Sequence, residues 1–289
     1  MSTPIVIVGP TASGKTDYAI KLASQSKNPV DILVVDSKQV YRGQNIVTGK
    51  DLDKFQIPKS KIQIFGVDLV DPDEQWSVAQ FVEYARNVII KSEEEDHQLL
   101  IVVGTPQYFL SLLDTPESVG VKPNQELRGV LEKLSVIDLQ ERLKKLNPER
   151  FQLMNNSDRN NPRRLIRAIE VTASAVIPVK ASSSLIRDPV WIGLRVDKED
   201  LEKRIRDRVI KRLEQGAIEE YKKLLEKYPN WTLEAKSALG YKELEEFVKG
   251  KIDKVGLVQL WTLHEAQYAK RQMTWWKTRS EIEWIDCYN

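Results

Sequence analysis

Gly9-Pro10-Thr11-Ala12-Ser13-Gly14-Lys15-Thr16 is the stretch that decides how this chain folds. It fits G-x-x-x-x-G-K-[ST], the pattern of a phosphate-binding loop. The apolar, β-branched run Pro4-Ile5-Val6-Ile7-Val8 stands before it and reads as a buried strand. Behind it, Tyr18, Ala19, Leu22 and Ala23 recur at helical spacing, so a helix is expected to begin near Lys15. Strand, glycine loop and helix form the context the pattern requires. Gly9 and Gly14 let the backbone curl until its N–H groups converge on phosphate oxygens at a helix N-terminus. Lys15 adds a mobile positive charge, and Thr16 offers a hydroxyl to Mg²⁺. The loop does not say whose phosphates it holds.

Working outward, Asp31-Ile32-Leu33-Val34-Val35 reads as a second strand that ends at Asp36-Ser37-Lys38-Gln39-Val40-Tyr41-Arg42. Ile62 to Phe65 is a short third strand. Ser77 is placed to cap a helix with an apolar face of Val78, Phe81, Val82, Ala85 and Val88/Ile89. Leu99 to Val103 is a fourth strand, after which Gly104-Thr105 opens another helix. Strands alternating with helices around a phosphate loop imply an α/β fold, a parallel sheet covered on both faces. Ligands of such sheets bind beyond the C-terminal strand ends. That rule puts Gly9–Thr16, Asp36 and Thr105 on one rim.

Length and composition agree with this. The 289 residues can bury a large domain and a smaller one. A net charge of +2 is too small to argue for nucleic acid by itself. Cys287 is the only cysteine, which excludes an internal disulfide and a cysteine-built zinc site and fits a reducing, cytoplasmic setting. No apolar run approaches the length of a signal peptide or membrane span, so no membrane association is expected.

The second half is mostly helical by pattern, with one strand at Val190 to Val196 that returns to the sheet. Residues 121–188 are then a helical insertion domain, and 1–120 with 189–289 the core. Three basic clusters lie in this half: Arg163 to Arg167, Lys198 to Arg212, and Trp261 to Ser280. The last carries Lys270, Arg271, Lys277 and Arg279 against Glu265, with Trp275 and Trp276 interleaved. A solvated helix face is the simpler account of any one cluster. Three together, with aromatics, favour a single-stranded or loop RNA surface.

For chemistry, His97 and His264 are the only histidines, and neither has a nucleophile or metal-ligand companion. Asp36 differs, because a carboxylate at the end of a buried strand is costly unless it binds something. It can cap a helix, hold Mg²⁺, or act as a general base beside the phosphates. With an ordinary pKa of about 4 it would be ionised at neutral pH and able to accept a hydrogen bond from an amine.

GPTASGKT, DSKQVYR, VGTPQYF, NNPRRLIRAIEV, ALGYKE and YAKRQMTWW occur in this order, and together they resemble the tRNA dimethylallyltransferase (tRNA isopentenyltransferase) family of bacterial type over residues 4 to 286. The resemblance implies a P-loop NTPase-like core with a helical insertion, and tRNA passing between the two. It implies transfer of a dimethylallyl group from its diphosphate to N6 of the adenosine 3′ of the anticodon, with Mg²⁺ as cofactor. A monomer is expected. Asp36 is similar to the family's general base, with Thr105 and Lys15 as further catalytic residues. Gly9, Thr11, Ala12, Ser13, Gly14, Lys15 and Thr16 match its diphosphate loop, Thr16 also meeting the metal. Arg208 is the better match to the arginine that clamps the diphosphate, and Arg204 the alternative. Asp36, Ser37, Lys38, Gln39, Thr105, Arg128, Arg163, Arg164, Arg167, Lys270, Arg271 and Gln272 fall on tRNA-contacting segments.

The chain departs from the family pattern at Val103, where a glycine is usual and a side chain would crowd the turn, and at Asn161, where an aspartate is usual. Two other activities share these features: a small-molecule kinase using ATP, and a prenyltransferase acting on free adenine nucleotide. A nucleotide-sensing protein without activity would leave Asp36 unexplained.

Overall fold

A computed structural model of the chain describes residues 2–50, 61–114, 120–174 and 185–287. In chain order the elements are β1 (Ile5–Val8), α1 (Lys15–Gln25), β2 (Val30–Val35), β3 (Ile62–Phe65), α2 (Val78–Glu94), β4 (Gln98–Val103) and α3 (Pro106–Leu113). Five helices follow: α4 (Gln125–Leu131), α5 (Val136–Leu146), α6 (Pro148–Leu153), α7 (Asn156–Arg159) and α8 (Pro162–Ala173). Then come β5 (Val190–Arg195), α9 (Lys198–Glu214), α10 (Ala217–Lys227), α11 (Leu233–Lys236), α12 (Tyr241–Val248), α13 (Lys254–Trp276) and β6 (Glu283–Asp286).

The six strands form one sheet in the order β3-β2-β4-β1-β5-β6. Every pairing is parallel, with Ile7 opposite Val102 on one side of β1 and Ile192 on the other. Side chains alternate across the pleat. Val6, Val8, Leu33, Val35, Ile101 and Val103 face α2 and α3, whereas Ile7, Ile32, Val34, Leu100 and Val102 face α1. Both faces are therefore apolar, as a parallel sheet covered by helices requires. Ser77 caps α2 as expected, its Oγ accepting the Gln80 N–H while Gln80 Oε1 accepts the Ser77 N–H.

Three readings change here. Strand β6 is only four residues, with two partly buried apolar residues between exposed acidic ends and no alternation, so the sequence did not announce it. Trp276, expected on an RNA-facing surface, is 1 % exposed and packs edge-on against Phe109 in the core, whereas Trp275 is exposed. The turn after β4 is not crowded by Val103 either. Its side chain is fully buried in the core cluster that the sheet forms with α2 and α3.

The chain divides into two compact units, Met1–Leu113 with Leu185–Asn289, and Asp114–Ser184. These breaks come a few residues before the expected 120 and 189. Leu112 and Ile186 both pack in the sheet core, and the Leu185 N–H donates to the Leu112 carbonyl, which draws both sides of the break into the larger unit. The smaller unit has its own core, in which Leu139 and Leu143 of α5 meet Leu165, Ile166 and Ile169 of α8. Asn161 caps α8, its side chain accepting the Arg164 N–H, so the usual aspartate is replaced by a residue equally suited to that position. Among the described residues no helix is long and apolar enough to cross a membrane.

Candidate active site

The rim at the C-terminal ends of β1, β2 and β4 carries the site. Gly14, at φ 89°, is the residue before α1, and no side chain caps that helix. The first-turn N–H groups are thus left for another acceptor, the usual setting for an anion. Ala12 holds a positive φ of 62°, uncommon for a residue with a side chain and typical of strained functional loops. The Ser13 Oγ is buried without a hydrogen-bond partner among the described residues. Lys15 Nζ donates to the carbonyls of Gly9 (3.0 Å) and Pro10 (2.7 Å). Burial, and then the nearby Arg208 charge, bring the Lys15 ammonium down to about 7, with Asp36 opposing the shift.

Asp36 follows β2 directly. Its Oδ1 accepts the N–H groups of Lys38 (2.7 Å) and, more weakly, Gln39 (3.4 Å), while Oδ2 lies against Gly104. Burial raises the Asp36 carboxyl above its ordinary value, outweighing these N–H groups and the charges of Lys38 and Lys15. The expectation of an ordinary value is corrected by this, since desolvation disfavours the charged form. Thr105 is beside it, with Oγ1 accepting the Ser37 N–H at 3.0 Å. Lys38 and Gln39 point into the wall. Lys38 Nζ donates to the Glu234 carbonyl and Ser237 Oγ, and Gln39 Nε2 donates to the Gly49 carbonyl.

Helix α13 closes the rim from the far end of the chain. Gln272, only 2 % exposed, donates from Nε2 to the Gly104 carbonyl (2.6 Å), and its Oε1 accepts the Thr11 N–H (2.7 Å). It is a strut between the phosphate loop and the β4 turn. Tyr268 donates its hydroxyl to the same Gly104 carbonyl at 2.8 Å. From α9, Arg208 donates to the Thr11 hydroxyl at 2.6 Å, while Arg204 donates to the Cys287 carbonyl at 3.0 Å. Lys15, Thr16, Asp36, Thr105, Arg208 and Arg271 all line one cavity of about 620 Å³.

Sequence reasoning missed several parts of this wall. Val47–Gly49, Ser237–Leu239, Tyr268 and Glu265 line the cavity, yet none is among the site residues expected from the sequence, although Ala238, Leu239 and Tyr268 fall within ALGYKE and YAKRQMTWW. Glu265, the lone acid among the basic residues of its stretch, is 3 % exposed and joins Arg208 and Arg212. Burial alone would raise its carboxyl, but the two arginines hold it below the usual range.

The remaining basic residues are placed differently. Lys270 and Arg271 are exposed, with the Arg271 guanidinium 5.7 Å from the Tyr268 ring centre. Within the smaller unit, Arg163 is exposed and Arg164 pairs with Asp158. Arg128 grips the buried Glu170 with two 2.8 Å bonds, and Arg167 reaches the same carboxylate at 3.1 Å. The two histidines serve the interior: His97 meets buried Asp31, and His264 meets buried Glu243.

The loop fits a diphosphate with a divalent cation. It offers uncapped N–H groups, an unpartnered Ser13 hydroxyl and the Thr16 hydroxyl in the cavity wall. Among the described residues no group of three metal-ligating side chains exists.

The family model described as IPP transferase matches residues 39–279. A tRNA dimethylallyltransferase of an Exiguobacterium species is 37 % identical over 290 residues, spanning 98 % of this chain and 90 % of that protein. One from Moorella thermoacetica is 34 % identical, spanning 96 % of this chain and 88 % of that protein. Among solved structures, the tRNA isopentenylpyrophosphate transferase of Bacillus halodurans superposes with a TM-score of 0.69 at 29 % identity, over 99 % of this chain and 90 % of its own. A eukaryotic dimethylallyltransferase described as acting on tRNA gives a TM-score of 0.80 at 25 % identity, over 99 % of this chain and 74 % of its own.

Proposed function

This chain belongs to the IPP transferase family, and on that premise we propose that it transfers a dimethylallyl group from dimethylallyl diphosphate to N6 of the adenosine 3′ of a tRNA anticodon. Diphosphate is the leaving group. The observation that carries the reading is the meeting of Asp36, Thr105, Lys15 and Arg208 on one cavity, a base and a polyanion cradle side by side.

The chemistry follows from the reactants. The adenine amine is a weak nucleophile because its lone pair is delocalised into the ring. The allylic carbon compensates by tolerating positive charge as the C–O bond breaks. The N6–carbon bond forms, the C–O bonding pair leaves with diphosphate, and the N6 proton passes to the Asp36 carboxylate. Burial raises the proton affinity of Asp36, which suits a base that accepts late. The leaving polyanion is met by the loop N–H groups, Lys15 and Arg208, fixed donors aimed where charge develops. The Thr16 hydroxyl would hold Mg²⁺, which supplies positive charge to the leaving group when bound.

The target base must leave the anticodon-loop stack to reach the cavity, at a cost of a few kcal/mol. Phosphate contacts from exposed cations offset that cost. Arg163, Arg164, Lys270 and Arg271 are the exposed cations of the sequence set, Arg164 being paired with Asp158, and they support such a path. A single cysteine, Cys287, supports a reducing, cytoplasmic setting. The test is incubation with dimethylallyl diphosphate and unmodified tRNA, followed by mass spectrometry of the nucleosides. Prenylated adenosine is expected. Equal activity on free AMP would sink the tRNA assignment.

A further inference from the structure

Glu265 uses its whole carboxylate on cations and an indole. Its Oε2 accepts from Arg208 Nη2, and its Oε1 accepts from Arg212 Nη1 (2.5 Å) and Trp261 Nε1 (3.2 Å). The side chain is 4 % exposed and Arg212 is 7 % exposed, so little water shares these bonds. The same Arg208 nitrogen donates to the Thr11 hydroxyl, and Arg208 Nε is buried with no partner among the described residues. Arg208 is thus tied at its tip to both α13 and the phosphate loop, with a further donor left over.

We infer that Glu265 is a positioning residue that holds Arg208 at the diphosphate, with Arg212 balancing the carboxylate so that the group keeps a net positive charge. The inference rests on the reading of Arg208 as the diphosphate clamp. Two guanidinium groups against one carboxylate leave a charge of +1, the same as Arg208 would have alone. Charge therefore does not explain why Glu265 and Arg212 are both present. Geometry does. An arginine side chain has four rotatable bonds beyond its Cα, and an untethered one would cover many positions around Thr11. A bond from each side restricts it to one before the substrate arrives, which removes an ordering cost from binding. Asp36 is held by the Lys38 and Gln39 N–H groups and not by this cluster, so the acceptor half of the reaction does not depend on this tether.

The inference separates placement from charge in an experiment. The double variant E265Q/R212M removes one negative and one positive charge, leaving the total unchanged while loosening Arg208. The single variant E265D keeps every charge and shortens the reach by one methylene. Both are titrated with inorganic diphosphate by calorimetry, after circular dichroism and thermal melting show a folded protein. Steady-state kinetics then separate KM for dimethylallyl diphosphate from KM for tRNA.

Placement predicts diphosphate affinity about 10-fold weaker or worse in either folded variant, with KM for dimethylallyl diphosphate rising in step and KM for tRNA unmoved. A variant that is folded and binds diphosphate like the wild type overturns the inference, and so does an equal rise in both KM values. E265D alone decides the matter if the double variant does not fold. R208A is the control for the underlying reading. If R208A binds diphosphate normally, Arg208 is not the clamp and that reading fails. If R208A loses affinity while E265D does not, the clamp stands and the positioning role of Glu265 falls.

Discussion

Gly104 lies so close to Asp36 that a Cβ on Gly104 would collide with the Asp36 Oδ2. The base and the turn after β4 are therefore one packed unit, and the missing side chain at position 104 is what lets the carboxylate sit over the strand end. Displacement of a reacting group by about 1 Å can cost roughly 100-fold in rate. G104A should lower kcat by about that factor. Its diphosphate affinity should stay close to that of the wild type, because the loop N–H groups are unaffected. Unaltered turnover would show that Asp36 need not sit there.

D36N keeps the side chain's size and removes the proton acceptor. Turnover should fall by roughly 10²- to 10⁴-fold, with both substrates still bound. The pH profile carries the sign. A base must be deprotonated, so wild-type kcat/KM is lost as pH falls through the Asp36 pKa. Burial raises that pKa, so the loss should begin at a higher pH than for an exposed carboxylate. A limb at the ordinary carboxylate position would contradict the buried environment.

Lys15 gives the opposite limb. With its ammonium brought down to about 7, the free enzyme carries this charge below that pH and loses it above. Since kcat/KM reports the free enzyme, kcat/KM for dimethylallyl diphosphate should decline as pH rises through about 7. In K15R the decline should vanish, because a guanidinium does not deprotonate in this range, although overall activity is lower. K15A and T16A should both weaken diphosphate binding in a folded protein. Normal binding in either would remove that residue from the phosphate site.

In the smaller unit, Glu170 is buried and answered by Arg128, Arg167 and the Asn124 N–H. Burial alone would raise its carboxyl, but these partners bring it below its ordinary 4.5. A depressed carboxylate pKa stabilises the fold above about 4.5 and loses that contribution as pH falls through the lower, folded value. E170Q removes the counter-charge of two cations and one of their acceptor oxygens and should cost on the order of 3 kcal/mol, read by denaturant melts at neutral pH. Its acid sensitivity should be weaker than that of the wild type. Equal stability of the two proteins would mean that the ion pairs contribute nothing net.

The exposed cations are tested by salt. Affinity for tRNA should fall steeply as salt rises, since bound phosphates release counterions. R163A and R271A should each make the slope shallower by about one unit for every tRNA phosphate that the removed guanidinium had neutralised. R167A would change stability as well as binding because Arg167 also holds Glu170 and the Val121 carbonyl, so it is the less clean probe. A slope unchanged in both R163A and R271A would take these two residues off the path.

The sequence by itself determined the phosphate loop, the alternation of strand and helix, and the rim on which Gly14, Asp36 and Thr105 meet. Those features are local. Five strands are marked by short apolar runs, the loop by its glycines, and parallel sheets put strand ends on one side by rule. Only the tertiary structure decided which residues complete the site. Glu265 meets Arg208 across 57 positions, and Gln272 meets Thr11 across 261, so no spacing could have paired them. The same is true of burial. Trp276 entered the core while its neighbour Trp275 stayed outside, because one helix presents adjacent residues to different surroundings. Asp36 keeps its place in the chain whatever surrounds it. Its proton affinity is set by how much water the packed rim excludes, a property of the fold that no single stretch of sequence contains.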